Sequence, residues 1–235
     1  MVTAIEGAGT SEDDWVSWWA DGAWPAVRWP VAARIVVAAP HPDDEVLGVG
    51  GLMAMAGTAL VVAVTDGETS HPGATSASVA ELRERRPAES AEALRRLGVQ
   101  AEVCRLRYAD GAIDEQRLAD EPASRLVPGD VCLATWRGDG HPDHEAVGRA
   151  AARAARSVGA TLWEFPVWAW HWARPGAAEV PWHRAAVIHL SPDALVRKAA
   201  AIAAFRTQVT PIDGITIVPE AVQRRFRRPF EVVFR

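Results

Sequence analysis

Arg34-Ile35-Val36-Val37-Ala38-Ala39 limits the fold more than any other stretch of the chain. It is a short, nearly continuous apolar run, closed by Pro40. A strand with one wet face alternates polar and apolar residues. This run instead reads as a strand buried on both faces, the kind found in parallel sheets covered by helices. Leu60 to Val64 is a second such run. Val99 to Leu106, Asp130 to Thr135 and Thr161 to Val167 are further strand candidates, and Phe230 to Phe234 is a terminal one. Helical patterns lie between them: Val79 to Leu97 closed by Gly98, Glu145 to Val158 closed by Gly159, and Asp193 to Arg206. Pro87 inside the first of these predicts a kink or a break. The alternation predicts an α/β fold, a three-layer sandwich with a mostly parallel sheet.

The length, 235 residues, fits a single domain over 1–235. Residues 1–30 form a Trp-rich N-terminal extension to it. Thr10-Ser11-Glu12-Asp13-Asp14 reads as a capped helix start, and Trp15, Trp18 and Trp19 follow as the stripe of a docking helix. The net charge is −5, from 25 basic and 30 acidic residues. That leaves no global basic field for a nucleic-acid partner. The local run Arg224, Arg225, Arg227 and Arg228 is expected as a solvated surface. Cys104 and Cys132 sit in apolar strands with no C-x-x-C spacing, so they read as buried thiols in a reducing compartment. No apolar run approaches a membrane span, and Glu6, Glu12, Asp13 and Asp14 stand where a signal peptide carries positive charge. A cytoplasmic protein without a membrane span is the expectation.

Pro40-His41-Pro42-Asp43-Asp44-Glu45 follows directly on the first buried strand. Ligands of open parallel sheets bind at the carboxyl ends of the strands. Three adjacent carboxylates repel one another, and a divalent cation is the simplest compensation. Zinc accepts imidazole and carboxylate donors, and its catalytic sites keep three protein ligands plus water. A polar turn that caps the next segment is the plainer alternative, made less attractive by the histidine and proline. Gly138-Asp139-Gly140-His141-Pro142-Asp143-His144-Glu145 echoes the first motif, again after a strand and at a helix start. His141 and His144 are three residues apart, so one can bind a metal while the other faces a substrate. Two helix-capping histidines are the alternative here. Two H-P-D segments after two strands are harder to explain that way, and together they supply the donor set of a hydrolytic zinc site.

At these segments the sequence resembles the PIG-L / LmbE-like deacetylase family, whose hallmarks are H-P-D-D-E after the first strand and H-P-D-H later. Thr65-Asp66-Gly67-Glu68, Arg86-Pro87-Ala88-Glu89 with Leu97-Gly98-Val99, and Lys198 to Gln208 extend the resemblance over roughly residues 34–210. The late helix departs from it, with Phe205-Arg206-Thr207-Gln208 where many members have a histidine and S-Q. The resemblance implies a Rossmann-like fold, one Zn2+ per chain (other divalent metals being possible), and removal of acetyl from an N-acetylated amino sugar or glycoconjugate. Carried over, it makes His41, Asp44 and His144 the metal ligands, Asp43 the general base and His141 the oxyanion stabiliser. Asp143 either orients a histidine or is a helix N-terminal acid. Arg86 falls where the family often has a substrate-contacting arginine, and Glu45 joins it as a candidate substrate contact.

This set suits amide hydrolysis. Zinc lowers the pKa of bound water towards about 7, a carboxylate beside it takes and returns the proton, and a hydrogen-bonding His141 steadies the oxyanion. Eleven tryptophans invite a sugar-stacking wall, above all Trp163, Trp168, Trp170, Trp172 and Trp182. Burial in a core or a subunit interface is the preferred reading. A metal amidohydrolase acting on a non-sugar acylated molecule is the nearest alternative. A Rossmann-like nucleotide-binding protein is a different class, but Gly48-Val49-Gly50-Gly51 lacks the full G-x-G-x-x-G pattern and follows carboxylates that repel phosphate. A binding module with a vestigial metal site is a third, and an intact Asp43 argues against it.

Overall fold

Ile35–Ala39 forms β1, every residue of it buried. Ile35 and Val37 point into one core, while Val36 and Ala38 point into a second. The period of two therefore explains the unbroken apolar run, since both faces are covered. The structure is a computed structural model and describes residues 7–27, 33–73, 75–118 and 125–235. The other strands are β2 (Thr58–Thr65), β3 (Gln100–Tyr108), β4 (Val131–Thr135), β5 (Thr161–Phe165), β6 (Ala185–His189) and β7 (Phe230–Phe234). They make one seven-stranded sheet in the order β3-β2-β1-β4-β5-β7-β6. The pairs from β3 to β5 are parallel, and β7 runs antiparallel to both its neighbours.

Five longer helices stand out among the described residues: α1 (Glu12–Asp21), α2 (Asp44–Ala56), α3 (Ser76–Leu97), α4 (Pro142–Val158) and α5 (Pro192–Ile202). α2, α3 and α5 bury their apolar faces in the first core, and α4 covers the second through Val147, Ala150, Ala151, Ala154 and Ala155. The three-layer, mostly parallel sandwich expected from the alternation is thus the observed fold. α1 docks through Trp15 and Trp19, both buried, onto Trp170.

Several expectations need correction. α3 runs through Pro87 as one helix. Its buried residues Leu82, Arg86, Ser90, Ala93, Leu94 and Leu97 recur every three or four positions across the proline, and their packing outweighs the lost hydrogen bond. β6 has no counterpart among the strands expected from the sequence; it is a five-residue strand at the edge of the sheet, with Trp182 to Arg184 before it and Ser191-Pro192 after it. The late helix stops at Ile202, and Arg206–Val209 is a separate turn. The basic run is not a solvated surface throughout. Arg225 and Arg228 are buried, and Arg228 holds Glu12 of α1 with two bonds of 2.8 and 2.6 Å. Cys132 is buried and Cys104 half-buried, both free. No helix among the described residues is long and apolar enough to cross a membrane.

Candidate active site

β1 and β4 are adjacent, and the strand order turns back at this pair. Such a switch point leaves a crevice at the strand ends. Both H-P-D segments leave the sheet there. Pro40 to Asp43 turns from β1 into α2, and Trp136 to His141 turns from β4 into α4. Spacing along the chain is thereby converted into contact: the His41 ring lies 5.0 Å from His141 and 5.3 Å from His144.

Nδ1 of His41 lies 3.2 Å from Oδ2 of Asp44, and Nε2 of His144 lies 3.4 Å from the same oxygen. These three residues offer donor atoms within 4.8 Å of one another. The far nitrogen of each ring is held by carboxylates. Nε2 of His41 is 3.1 Å from both Asp110 and Asp143, and Nδ1 of His144 is 2.8 Å from Asp139. Asp139 is fixed in turn, its oxygens accepting the N–H groups of Val167, Trp168 and Ala169. Carboxylate partners of this sort set ring orientation and tautomer around metal sites. Nε2 of His144 is buried and makes no hydrogen bond among the described residues. A buried polar atom left so is costly, and a divalent cation would satisfy it while offsetting the surrounding carboxylates. The residues therefore fit such an ion. His41, His141 and Asp143 form a second possible group. Its His141 Nδ1 is already engaged, accepting the N–H of Asp143 at 3.2 Å as the cap of α4. Only the first group carries an orphaned nitrogen.

Burial would push the Asp44 carboxyl up, but His144 and His41 overcome it and hold it down at about 2. Burial opposes protonation of His41 as well, yet Asp110, Asp143 and Asp44 together raise it well above the usual imidazole range. Asp110 is lowered far below the usual carboxylate range, its burial outweighed by the His41 hydrogen bond. Burial pushes Asp43 up to about 8; Arg86 pulls against that and Asp44 adds to it. Burial, with His144 and His41 beside it, pushes His141 down to about 3. A neutral His141 whose Nδ1 accepts a backbone N–H carries its proton on Nε2 and is a donor there.

Asp43 has φ 139°, a region L-residues rarely enter. Its N–H donates to Glu45 Oε2 at 3.0 Å, and Arg86 donates to the Pro42 carbonyl at 2.8 Å and reaches Asp43 Oδ2 at 3.3 Å. Arg86 also bonds the carbonyl of Gly67 at 2.7 Å. Gly67 has φ +65°, and a Cβ there would fall 2.1 Å from the Arg86 guanidinium. The T-D-G-E turn after β2 is thus shaped around an arginine on α3.

A cavity of about 390 Å³ opens on these groups. It is lined on the polar side by His41, Asp43, Asp44, Asp110 and His141, and on the other by Val167, Trp168, Ile217, Val218 and Phe226. Glu45 does not line it. That residue, expected as a substrate contact, is 1% exposed; Oε1 accepts from Ser90 Oγ at 2.7 Å and Oε2 from the Asp43 N–H, so it braces the turn. Arg86 reaches the cavity wall; its hydrogen bonds go to Pro42 and Asp43 and to Gly67 in the turn after β2. Asp143 faces His41 Nε2 and accepts the Gly111 N–H at 2.8 Å, the arrangement of an orienting group. Of the five clustered tryptophans only Trp168 lines this cavity; Trp170 and Trp182 pack with Trp15 in the core. Asp110 and Asp139 escaped the sequence reading. Asp110 follows the carboxyl end of β3, the same position in the sheet as the two motifs, and that placement was the available signal.

The fold and the site define a doubly wound α/β protein with a histidine–carboxylate pocket at its switch point that could hold a metal ion. The chain belongs to the PIG-L family, described as GlcNAc-PI de-N-acetylase, whose profile matches residues 36–155. This is the family that the two motifs resemble. No curated protein sequence matches the chain. Among solved structures it is similar to the conserved protein TT1542 from Thermus thermophilus, with 29% identity, TM-score 0.58, and 82% of this chain and 84% of that one covered. It is similar to the A40926 pseudoaglycone deacetylase Dbv21, with 26% identity, TM-score 0.64, and coverage of 86% and 96%. N,N'-diacetylchitobiose deacetylase from Pyrococcus horikoshii shares the fold, with 22% identity, TM-score 0.57, and coverage of 77% and 72%.

Proposed function

We propose that this protein is a zinc-dependent hydrolase that removes the acetyl group from an N-acetylated amino sugar or glycoconjugate. The observation that carries the reading is the convergence of His41, Asp44 and the orphaned Nε2 of His144 beside an unligated, buried Asp43. A metal held by these three residues would supply Lewis acidity to the amide carbonyl and acidify a water. Asp43 is the base: the charge of a cation held beside it would draw its raised carboxyl down, so that it takes the water proton and later delivers it to the departing amine. Its strained backbone and its Arg86 brace keep the carboxylate beside Asp44 without turning it into a fourth donor. His141 donates from Nε2 to the oxygen that becomes negative. Asp139, Asp110 and Asp143 hold the two ligand histidines in place. Trp168, whose ring lies 5.2 Å from that of His141, gives a flat apolar face to the sugar beside the reacting amide.

The family membership and the deacetylases among the structural neighbours support hydrolysis of an acetamide over other chemistry at this pocket. The glycines of α2 are packing residues: a Cβ on Gly48 would lie 2.1 Å from Phe165, and one on Gly51 2.4 Å from Leu190. They are filled against the core, which leaves no cradle for the phosphates of a nucleotide. Acetate release from a panel of N-acetylated sugars and glycosides tests the proposal. Stoichiometric acetate and free amine from at least one member is the expected result. Binding of the sugars with no acetate released by the zinc-loaded protein would overturn it.

A further inference from the structure

Arg224, Arg225, Arg227 and Arg228 lie together near the C-terminus. Three of them have an acid. Arg224 is 3.1 Å from Asp13, Arg227 is 2.7 Å from Glu220, and Arg228 is 2.6 Å from Glu12. Arg225 is the exception. It is 3% exposed, and among the described residues no carboxylate lies within ion-pairing reach of it. Nη1 lies 3.1 Å from Nδ1 of His171, and Nη2 donates to the carbonyls of Ala8 and Thr10 at 2.8 and 2.9 Å. Nε makes no hydrogen bond among the described residues. Burying a guanidinium without a counter-ion is expensive, and carbonyl oxygens compensate only part of the cost.

Arg225 lines the same cavity as His41, Asp44 and His141. Gln208, buried to 1% exposure, also lines the cavity, and its Oε1 lacks a partner among the described residues. Besides the carboxylates of the metal pocket, the cavity lining therefore carries a cation without an acid among the described residues, Arg225. The apolar residues Val218, Val222 and Phe226 line it as well. A molecule with an acetamide for the first region and a negative charge for the second would satisfy both.

We propose that Arg225 is the anchor for an anionic group of the substrate, a carboxylate or phosphate carried on the N-acetylated molecule away from the scissile amide. This rests on the deacetylase reading for the identity of the amide, while the anion preference itself is a binding property. Nε–H, the donor left without a partner among the described residues, can donate to either oxyanion, and Gln208 Oε1 can accept from a neighbouring hydroxyl.

Calorimetric titration of the full chain tests it, with N-acetylglucosamine, N-acetylglucosamine 6-phosphate and N-acetylmuramic acid as probes. At least one anionic sugar should bind roughly tenfold or more tightly than the neutral one, as expected for a hydrogen bond to a charged group. The phosphate and carboxylate arms identify which anion is taken. Arg225→Gln should collapse that ratio to within about twofold. Equal affinities in the wild type overturn the proposal. So does a preference that survives in Arg225→Gln, because the anion then sits elsewhere, for instance at the metal pocket. If Arg225→Gln does not fold, Arg225→Lys decides: it keeps the charge but loses the Nε donor. A ratio at least about threefold lower than that of the wild type supports the proposal, and an unchanged ratio overturns it. Acetate release from the same sugars separates the two readings. Hydrolysis without an anionic preference overturns this proposal alone, and an anionic preference without hydrolysis contradicts only the deacetylase.

Discussion

In the proposed mechanism, Asp43 concentrates the chemistry of the site in one residue. Its backbone φ of 139° is held by bonds from its own N–H to Glu45 and from Arg86 to the preceding carbonyl. Strain of this kind persists only where surrounding contacts over-determine it, and it gathers at functional positions. Asp43→Asn should keep the metal and the fold while lowering turnover by about 100- to 10,000-fold, the usual contribution of a general base. Turnover within a few-fold of wild type would remove Asp43 from the mechanism. Asp139 works at one remove. It receives three backbone N–H groups and the His144 ring, so an amide in its place would turn a donor towards at least one of them. Asp139→Asn should weaken metal binding by about 10- to 100-fold, read by competition with a chelator, and unchanged affinity would show that His144 needs no such partner. His41, Asp43, Asp44, His141 and His144 were legible because each motif is contiguous and carries its own chemistry. Asp110 and Asp139 were not, because a lone aspartate after a strand looks like a turn residue until the third dimension brings a histidine to it.

The elements explain why the motifs meet. β1 and β4 are short, apolar and parallel, and every residue of each is buried. Their continuous runs made them readable, and so did the glycine stops after α3 and α4. β6 escaped notice: five residues beside an aromatic-rich loop carry too little pattern to separate a strand from a buried turn. Pro87 misled in the other direction, since the local rule against proline inside a helix was overridden by packing along the whole of α3. α1 tests the same balance. Trp15 is fully buried, its ring 5.1 Å from that of Trp170, and its Nε1 donates to the Trp170 carbonyl at 3.0 Å. Trp15→Ala should cost about 3–5 kcal/mol in denaturant unfolding followed by circular dichroism. A loss below about 1 kcal/mol would mean that α1 adds little to the fold.

Across the whole molecule, charge pairs join distant parts of the chain. Glu12 and Arg228 tie the N-terminal helix to the C-terminal region, and Glu164 on β5 receives Arg137 and Arg184. Burial acts to raise the Glu164 carboxyl, but the hydrogen bonds from Arg137 outweigh it and leave it lowered. A carboxyl lower in the folded than in the unfolded chain stabilises the fold above its unfolded value, about 4.3, and loses that contribution as pH falls through the folded one. Unfolding free energy should therefore drop on acidification below about pH 4, and Glu164→Gln should be less stable at neutral pH with a flatter acid limb. An acid limb identical to that of the wild type would place the sensitivity elsewhere. The overall sandwich was readable from strand and helix alternation, whereas the burial of Arg225 and Arg228 was not, because a run of arginines reveals its partners only once the two chain ends are brought together. In the proposed mechanism, two segments a hundred residues apart, His41 to Glu45 and His141 to Glu145, build one metal site. Elemental analysis of the purified chain beside His144→Ala tests it most directly. One equivalent of a zinc-like divalent metal is expected in the wild type and its loss in the variant; a folded His144→Ala protein that keeps its full metal content would rule out the shared site.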